Sequence, residues 1–271
     1  MTPGGPEACR PGQDPQHGAD ALHVEGLSWH CGDSAEADYI QAEIFGKECY
    51  APPCGPPPPG GVVVDAGANI GLFSLYAVTR WQARRVLAVE PAPPLLDLLR
   101  RNLAAHDLSR IEVVPAALSD AGSTTGDEAR LTYFPAAPGN STLRPADKDA
   151  EIAALPPRTA RRAAALMDER VDYPVRLTTL SAVLDEHAVD HVDLLKIDVE
   201  GEEEAVLRGV CRTWWPRIDT VVVEVSHHGC GVSAVTRLIE EQGFEVWVAD
   251  ADPARTITAL VWGHRSGQSP T

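Results

Sequence analysis

The sequence predicts an α/β fold: a mostly parallel sheet of seven strands with helices on both faces. Three observations predict it. Strand-like and helix-like stretches alternate from residue 61 onward. The early strands are continuously apolar, as in GVVVDAG (61–67) and RRVLAVEP (84–91), the pattern of strands buried on both faces. And 271 residues of 44% hydrophobic content suffice for the core of one such domain with decorations.

Taken in order, residues 1–20 are rich in Gly, Pro and polar residues and are expected to form a disordered tail. Residues 21–60 form an N-terminal cap segment. Its LHVEGLSWHC (22–31) reads as a strand and its SAEADYIQAEIF (34–45) as a helix with Ser34 at the N-cap. A proline-rich linker, APPCGPPPPGG (51–61), continues neither. The main domain is expected over 61–265. After the strand ending at Asp65 comes a helix, NIGLFSLYAVTR (69–80). After the strand ending at Glu90 comes PPLLDLLRRNLAAHD (93–107), with proline in its first turn. RIEVVPAAL (110–118) is read as the third strand. HVDLLKIDVEG (191–201) is the fourth, followed by the helix EEEAVLRGVCRTW (202–214). DTVVVEVS (219–226) is the fifth, followed by the helix SAVTRLIEEQG (233–243). FEVWVAD (244–250) and TITALVWG (256–263) close the domain as an antiparallel pair, and 266–271 is a tail. The stretch from about 121 to 175 breaks the alternation and is read as an inserted lid over one end of the sheet, helical in part of its Ala/Arg-rich segment.

Charge narrows the partners. With 23 basic and 39 acidic residues the formal charge is −16, and an acidic surface repels phosphate backbones, which argues against nucleic acid. No apolar run approaches the ~20 residues that span a bilayer, so no membrane partner is expected. MTPGGPEACRPGQDPQHGAD (1–20) lacks the apolar core of a secretory signal. A cytoplasmic location is expected, and the six cysteines read as reduced thiols. The oligomeric state is left open.

Open α/β sheets bind ligands beyond the carboxyl ends of their strands. In DAGANIG (65–71), Gly67 and Gly71 permit close approach of backbone or ligand. The spacing is not the G-x-G-x-x-G on which a pyrophosphate rests, and Asp65 would repel one. Glu90, ending the next strand, can accept both hydroxyl protons of a ribose. Asp65, Gly67, Gly71 and Glu90 therefore describe a phosphate-free nucleoside site, which S-adenosylmethionine fits. In KIDVE (196–200) strand alternation aims Lys196, Asp198 and Glu200 to one side at the ligand end. Glu202, Glu203 and Glu204 open a helix and are expected to be solvated. Glu224, Ser226, His227 and His228 end the fifth strand; His227 or His228 is a candidate base.

These strings resemble the FkbM-type family of S-adenosylmethionine-dependent methyltransferases. The resemblance runs over most of residues 36–228 and is carried chiefly by DAGANIG and LLKIDVEG. It implies a Rossmann-like class I methyltransferase fold and O-methylation of a hydroxyl on a small-molecule natural product such as a polyketide, sugar or glycoside. Antibiotic biosynthesis is one such setting. It implies cofactor contacts at Asp65, Gly67, Asn69 and Glu90, with Ala117 and Ser119 near adenine, and places Asp198 close to the reacting methyl. Ser226 stands where some members carry a histidine directly after EV.

The expected chemistry is in-line methyl transfer in which His227, His228 or Asp198 accepts the hydroxyl proton, while Lys196 and Glu224 orient the partners. In an alternative scheme Asp198 and Glu224 hold a divalent cation, magnesium or calcium, that polarises the hydroxyl. Arg158, Arg161 and Arg162 are read as a solvated helix face rather than an anion site, and GNSTL (139–143) as a polar loop with groups suited to a polyol. Two rival readings remain. One is an NAD(P)-dependent oxidoreductase; the other is a non-catalytic domain that binds S-adenosylmethionine or a partner protein.

Overall fold

The structure, a computed structural model, describes residues 20–32, 34–120, 127–226, 231–250 and 258–265. The tails, His227 and His228 lie outside the described residues. The chain opens with a hairpin, β1 (Asp20–Val24) and β2 (Leu27–Cys31), where one strand was expected. Glu25 and Gly26 both take positive φ, 50° and 79°, which is the geometry of a two-residue hairpin turn. Helix α1 (Ser34–Gln41) follows and runs into a π-helical turn at Ala42–Gly46.

The main sheet then forms as the alternation predicts: β3 (Val62–Ala66), α2 (Leu72–Thr79), β4 (Arg85–Val89), α3 (Pro93–Ala105) and β5 (Ile111–Val114). The third strand is shorter than expected. Pro115 offers no N–H to a ladder, and the chain beyond it leaves the sheet as β6 (Ala117–Ser119). The 121–175 stretch adds β7 (Asp127–Tyr133), α4 (Pro145–Ala154) and α5 (Pro157–Leu166), and β8 (Val171–Thr179) returns. β8 pairs parallel with β6 and antiparallel with β7, making a separate three-stranded sheet that the sequence pattern did not indicate. Thr179 caps α6 (Leu180–Glu186), its Oγ1 accepting from the Ala182 amide at 3.1 Å. β9 (Val192–Ile197), α7 (Glu203–Arg208), β10 (Ile218–Ser226), α8 (Gly231–Glu241), β11 (Glu245–Asp250) and β12 (Thr258–His264) complete the chain.

The seven-stranded sheet has the order β11-β12-β10-β9-β3-β4-β5, parallel except for β12, which runs antiparallel to both neighbours. Successive strands move outward in one direction from β3 and then in the other from β9, so β3 and β9 flank the switch point where ligands bind. Alternation sorts the apolar side chains into two layers. Val63, Val86, Leu194 and Val222 pack with α2, α3 and the N-terminal cap. Val62, Val64, Leu87, Leu195, Val221 and Val223 pack with α6, α7 and α8. Residues Leu72 through Val78 of α2 are buried without exception, so that helix has no solvated face. By the same period of two, Asp65, Lys196, Asp198 and Glu224 all fall on the face covered by the N-terminal cap. This is a doubly wound, Rossmann-like arrangement. Among the described residues, no helix is long and apolar enough to cross a membrane. Cys31, Cys49, Cys54 and Cys211 form no disulfide.

Candidate active site

The carboxyl ends of β3 and β9 meet through backbone. Gly67 sits at φ 81°, and a Cβ there would lie 1.7 Å from the Asp198 carbonyl oxygen. Only glycine allows the two strand tips to touch. The turn is fixed further by the Gly67 and Ala68 amides, which both donate to the Val89 carbonyl at 3.0 Å. Asn69 follows at φ 52° and its amide donates to Glu90 Oε2 at 2.9 Å.

Two adjoining cavities open above these tips. The first is lined by Gly67, Asn69, Glu90 and Asp198, with Leu95, Ala116, Ala117, Leu118 and Leu131 as an apolar wall. Glu90 is buried, and burial pushes its carboxyl up to about 7, although the Ala92 and Asn69 amides bonded to its two oxygens favour the charged form. The charged side chains along this cavity are Glu90, Asp198, Glu200 and Glu202, all acidic. A pyrophosphate would find no cation there. A ribose, an apolar-faced base and a positive charge would each find a partner, so the donor set fits S-adenosylmethionine.

The second, larger cavity shares Gly67, Asn69, Gly139, Asp198 and Glu200 with the first and extends under the N-terminal cap, past Ile44, Tyr50 and Phe73 to Lys196, Glu224, Ser226 and Thr258. Lys196 is its buried cation. Nζ lies 3.1 Å from Asp65 Oδ1 and 3.5 Å from Asp198 Oδ2, and donates to the Gly67 carbonyl at 2.8 Å. It also faces the rings of Tyr50 and Phe73 at 5.4 and 5.8 Å. Burial disfavours the ammonium, but Asp65 and Asp198 outweigh it and hold Lys196 above the usual lysine range. It remains a cation and does not serve as a base. Glu224 Oε2 accepts from Tyr50 at 2.7 Å and Oε1 from Thr258 at 3.0 Å. Burial first, then the Asp198 charge, pushes Glu224 up to about 8.

The structure thus brings Gly67, Asn69, Glu90, Ala117 and Asp198 to the first cavity and Lys196 and Glu224 to the second. Three expected contacts line neither. Asp65 is fully buried behind the wall, bonded to Ser74 Oγ at 2.7 Å and facing Lys196; burial pushes its carboxyl up against the pull of both. Its place is behind the lysine, not against a ligand. Gly71 serves packing, since a Cβ there would meet Leu99 Cδ1 at 2.5 Å. Ser119 does not line the cavity and donates at 3.3 Å to Oε2 of Glu202, which does. The expectation of solvated acids at 202–204 is corrected for two of them. Glu202 is buried and paired with Arg144, and Glu203 is buried with the Gly201 amide at 2.9 Å, its carboxyl pushed by burial up to about 7. Glu204 pairs with Arg208 one turn on. Arg158, Arg161 and Arg162 are exposed on α5, as expected. GNSTL runs between the cavities, Gly139 lining both.

Sequence reasoning missed Tyr50, Thr258 and Lys148. No motif singles any of them out, and none is separable by spacing from ordinary polar residues. Among the described residues, Asp198 and Glu224 do not form part of a group of three metal-donor side chains. Among the described residues the one such group is His191, Asp193 and Asp219, whose His191 and Asp219 belong to the opposite, amino-terminal ends of β9 and β10.

An open sheet of this order with an acid-lined cavity at its switch point has the arrangement of a class I methyltransferase. Residues 65–246 match the Methyltransferase FkbM domain. The chain is 38% identical over 240 residues to Methyltransferase sdnD of Sordaria araneosa, covering 84% of this chain and 89% of that one. It is 35% identical over 218 residues to Methyltransferase 1 of Beauveria bassiana, covering 80% and 84%. It is 34% identical over 257 residues to the 31-O-demethyl-FK506 methyltransferase FkbM of Streptomyces tacrolimicus, covering 88% and 89%. The chain belongs to the FkbM family of S-adenosylmethionine-dependent methyltransferases, which retires the oxidoreductase reading.

Proposed function

We propose that this protein O-methylates a hydroxyl of a small-molecule natural product, with the nucleoside of S-adenosylmethionine in the first cavity and the acceptor in the second. The observation that carries the reading is the shared wall. Asp198 and Glu200 border both cavities, so ligands in the two meet beside a carboxylate. The bound sulfonium supplies an electrophilic methyl group. The protein's own residues do the rest. Glu90 holds ribose hydroxyls, the Ala116–Leu118 wall receives the base, and Lys196 fixes Asp198 by charge. Asp198 then accepts the proton that an alcohol oxygen sheds as it forms its new bond. His227 stays a candidate for the same role. The name of the Streptomyces tacrolimicus relative describes methylation at an oxygen, which supports the choice of acceptor atom. A divalent cation is the second scheme; the Lys196 ammonium beside Asp198 already supplies the positive charge that scheme would need.

Incubation with S-adenosylmethionine and a panel of polyketide, sugar and glycoside alcohols should release S-adenosylhomocysteine and give a product whose new methyl carbon resonates as a methoxy group. Methylation at nitrogen or carbon overturns the reading, as does dependence on an amine acceptor. An unchanged rate in EDTA removes the cation.

A further inference from the structure

We propose that Tyr50 is a positioning residue for proton removal: its hydroxyl ties Glu224 to Asp198, so that the two carboxylates take up the acceptor's proton as one unit. The inference rests on the O-methylation reading and names a residue outside the matched family stretch of 65–246. Tyr50 belongs to the N-terminal cap and is buried, with its ring edge-on to Phe73 at 5.3 Å between centroids. Its hydroxyl lies 2.7 Å from Glu224 Oε2 and 3.2 Å from Asp198 Oδ2. A phenol has one hydrogen, and two carboxylates compete for it. Burial, with Asp198 and Glu224 beside it, holds the Tyr50 phenol well above its ordinary range, so it keeps that hydrogen at every working pH.

The arrangement has a definite proton count. With both acids ionised, one oxygen pair lacks a hydrogen. One further proton completes a chain in which Glu224 donates to Tyr50 and Tyr50 donates to Asp198. When the acceptor's O–H breaks, its electron pair stays on oxygen for the new O–C bond. The donor leaves as a neutral thioether, and the proton enters this chain at Asp198. Glu224 is surrounded by groups from four segments: Cys49 and Tyr50 of the cap, Lys196 and Asp198 at the end of β9, Glu200 beyond it, and Thr258 of β12. The Tyr50 and Thr258 hydroxyls favour its ionised form, and the acids oppose it.

The test compares wild type, Tyr50→Phe, Thr258→Val and Glu224→Gln, all in EDTA so that no cation can sit between the two carboxylates, and loss of wild-type turnover in EDTA overturns the inference. In wild type, kcat should rise with pH along a limb near the Glu224 value of about 8. Tyr50→Phe removes a hydrogen bond to the ionised acid, so the limb should move up by about one pH unit. At neutral pH kcat should fall roughly tenfold by the same shift, with affinity for S-adenosylhomocysteine unchanged. Thr258→Val should move the limb the same way, and Glu224→Gln should abolish it. A carboxyl-labelled NMR titration of Glu224 without any acceptor should show the same upward shift in Tyr50→Phe. A Tyr50→Phe enzyme with an unshifted limb and unshifted Glu224 titration overturns the inference, whatever its kcat. Failure of every hydroxyl acceptor, with the titration shift intact, overturns only the O-methylation reading.

Discussion

Glu90 shows how far one side chain can be read before its surroundings are known. Its position at the end of the second strand makes it a candidate ribose acceptor, but its acidity is decided by burial, which no motif records. A ribose donates hydrogen bonds, and only the ionised acid accepts at both oxygens. With a value of about 7 in the free protein, Glu90 must lose its proton before it can accept fully. Affinity for S-adenosylhomocysteine should therefore rise with pH, by about tenfold between pH 6 and pH 8. Calorimetry at the two values checks this, and Glu90→Gln should bind weakly with no such dependence. Lys196 and Asp198 illustrate the complementary limit. Their shared face followed from a period of two. The larger partnership, Lys196 with Asp65, follows from the register that sets Asp65 of β3 opposite Lys196 of β9, a long-range fact. For that reason Asp65 reads in sequence as a ligand contact and in three dimensions as the lysine's counter-ion. Tyr50 lies inside the family-like stretch of 36–228, but nothing in it marks the tyrosine as a site residue, because its partners lie 148 and 174 residues away.

At the scale of elements, the parallel strands and their helices were legible because each carries its own periodicity. The insertion was not, because its strands are defined by one another. β7 is largely exposed and polar, and only pairing with β8 makes it a strand. The insertion is tied to the β9–α7 loop by specific bonds. Thr142 Oγ1 donates to the Glu200 carbonyl at 2.6 Å, Arg144 pairs with Glu202, and Lys148 Nζ lies 2.5 Å from Glu200 Oε2 and 3.2 Å from Glu151 Oε2. The Lys148 side chain is only 11% exposed, so deleting it leaves two acids facing each other without a cation. Lys148→Ala should cost about 2 kcal/mol, between the values for exposed and buried pairs. Urea denaturation checks the size. Adding Glu200→Gln should recover part of the loss, and a double variant no better than the single one would show that the pair is not the cause.

For the molecule as a whole, charge and burial pull in one direction. The chain carries −16 and buries several carboxyls whose values are raised: Glu90 and Glu203 to about 7, Glu224 to about 8. A raised carboxyl favours the folded state most when protonated; that contribution is complete below about 4.5 and is lost as pH rises through 7 to 8. The lowered acids, Glu112 beside Arg85 and Asp149 beside Arg170, matter only below about 4.5. Lys196, held high, changes nothing in this window. Thermal unfolding of the ligand-free protein should therefore occur at a lower temperature at pH 8.5 than at pH 6.0. Self-repulsion of the acidic surface adds to the effect. A midpoint that rises instead would contradict the burial assigned to these acids. The N-terminal hairpin has a consequence of another kind. Trp29 Nε1 donates to the Ile70 carbonyl at 2.9 Å, and Asn102 bonds both that carbonyl and the His30 backbone. Anyone excising the stretch from 65 to 246 for transplant into a foreign host chain would tear out Trp29's lining beside Gly71. The excision would also strip Glu224 of both hydroxyls. A working cassette must travel with its first strands and its last.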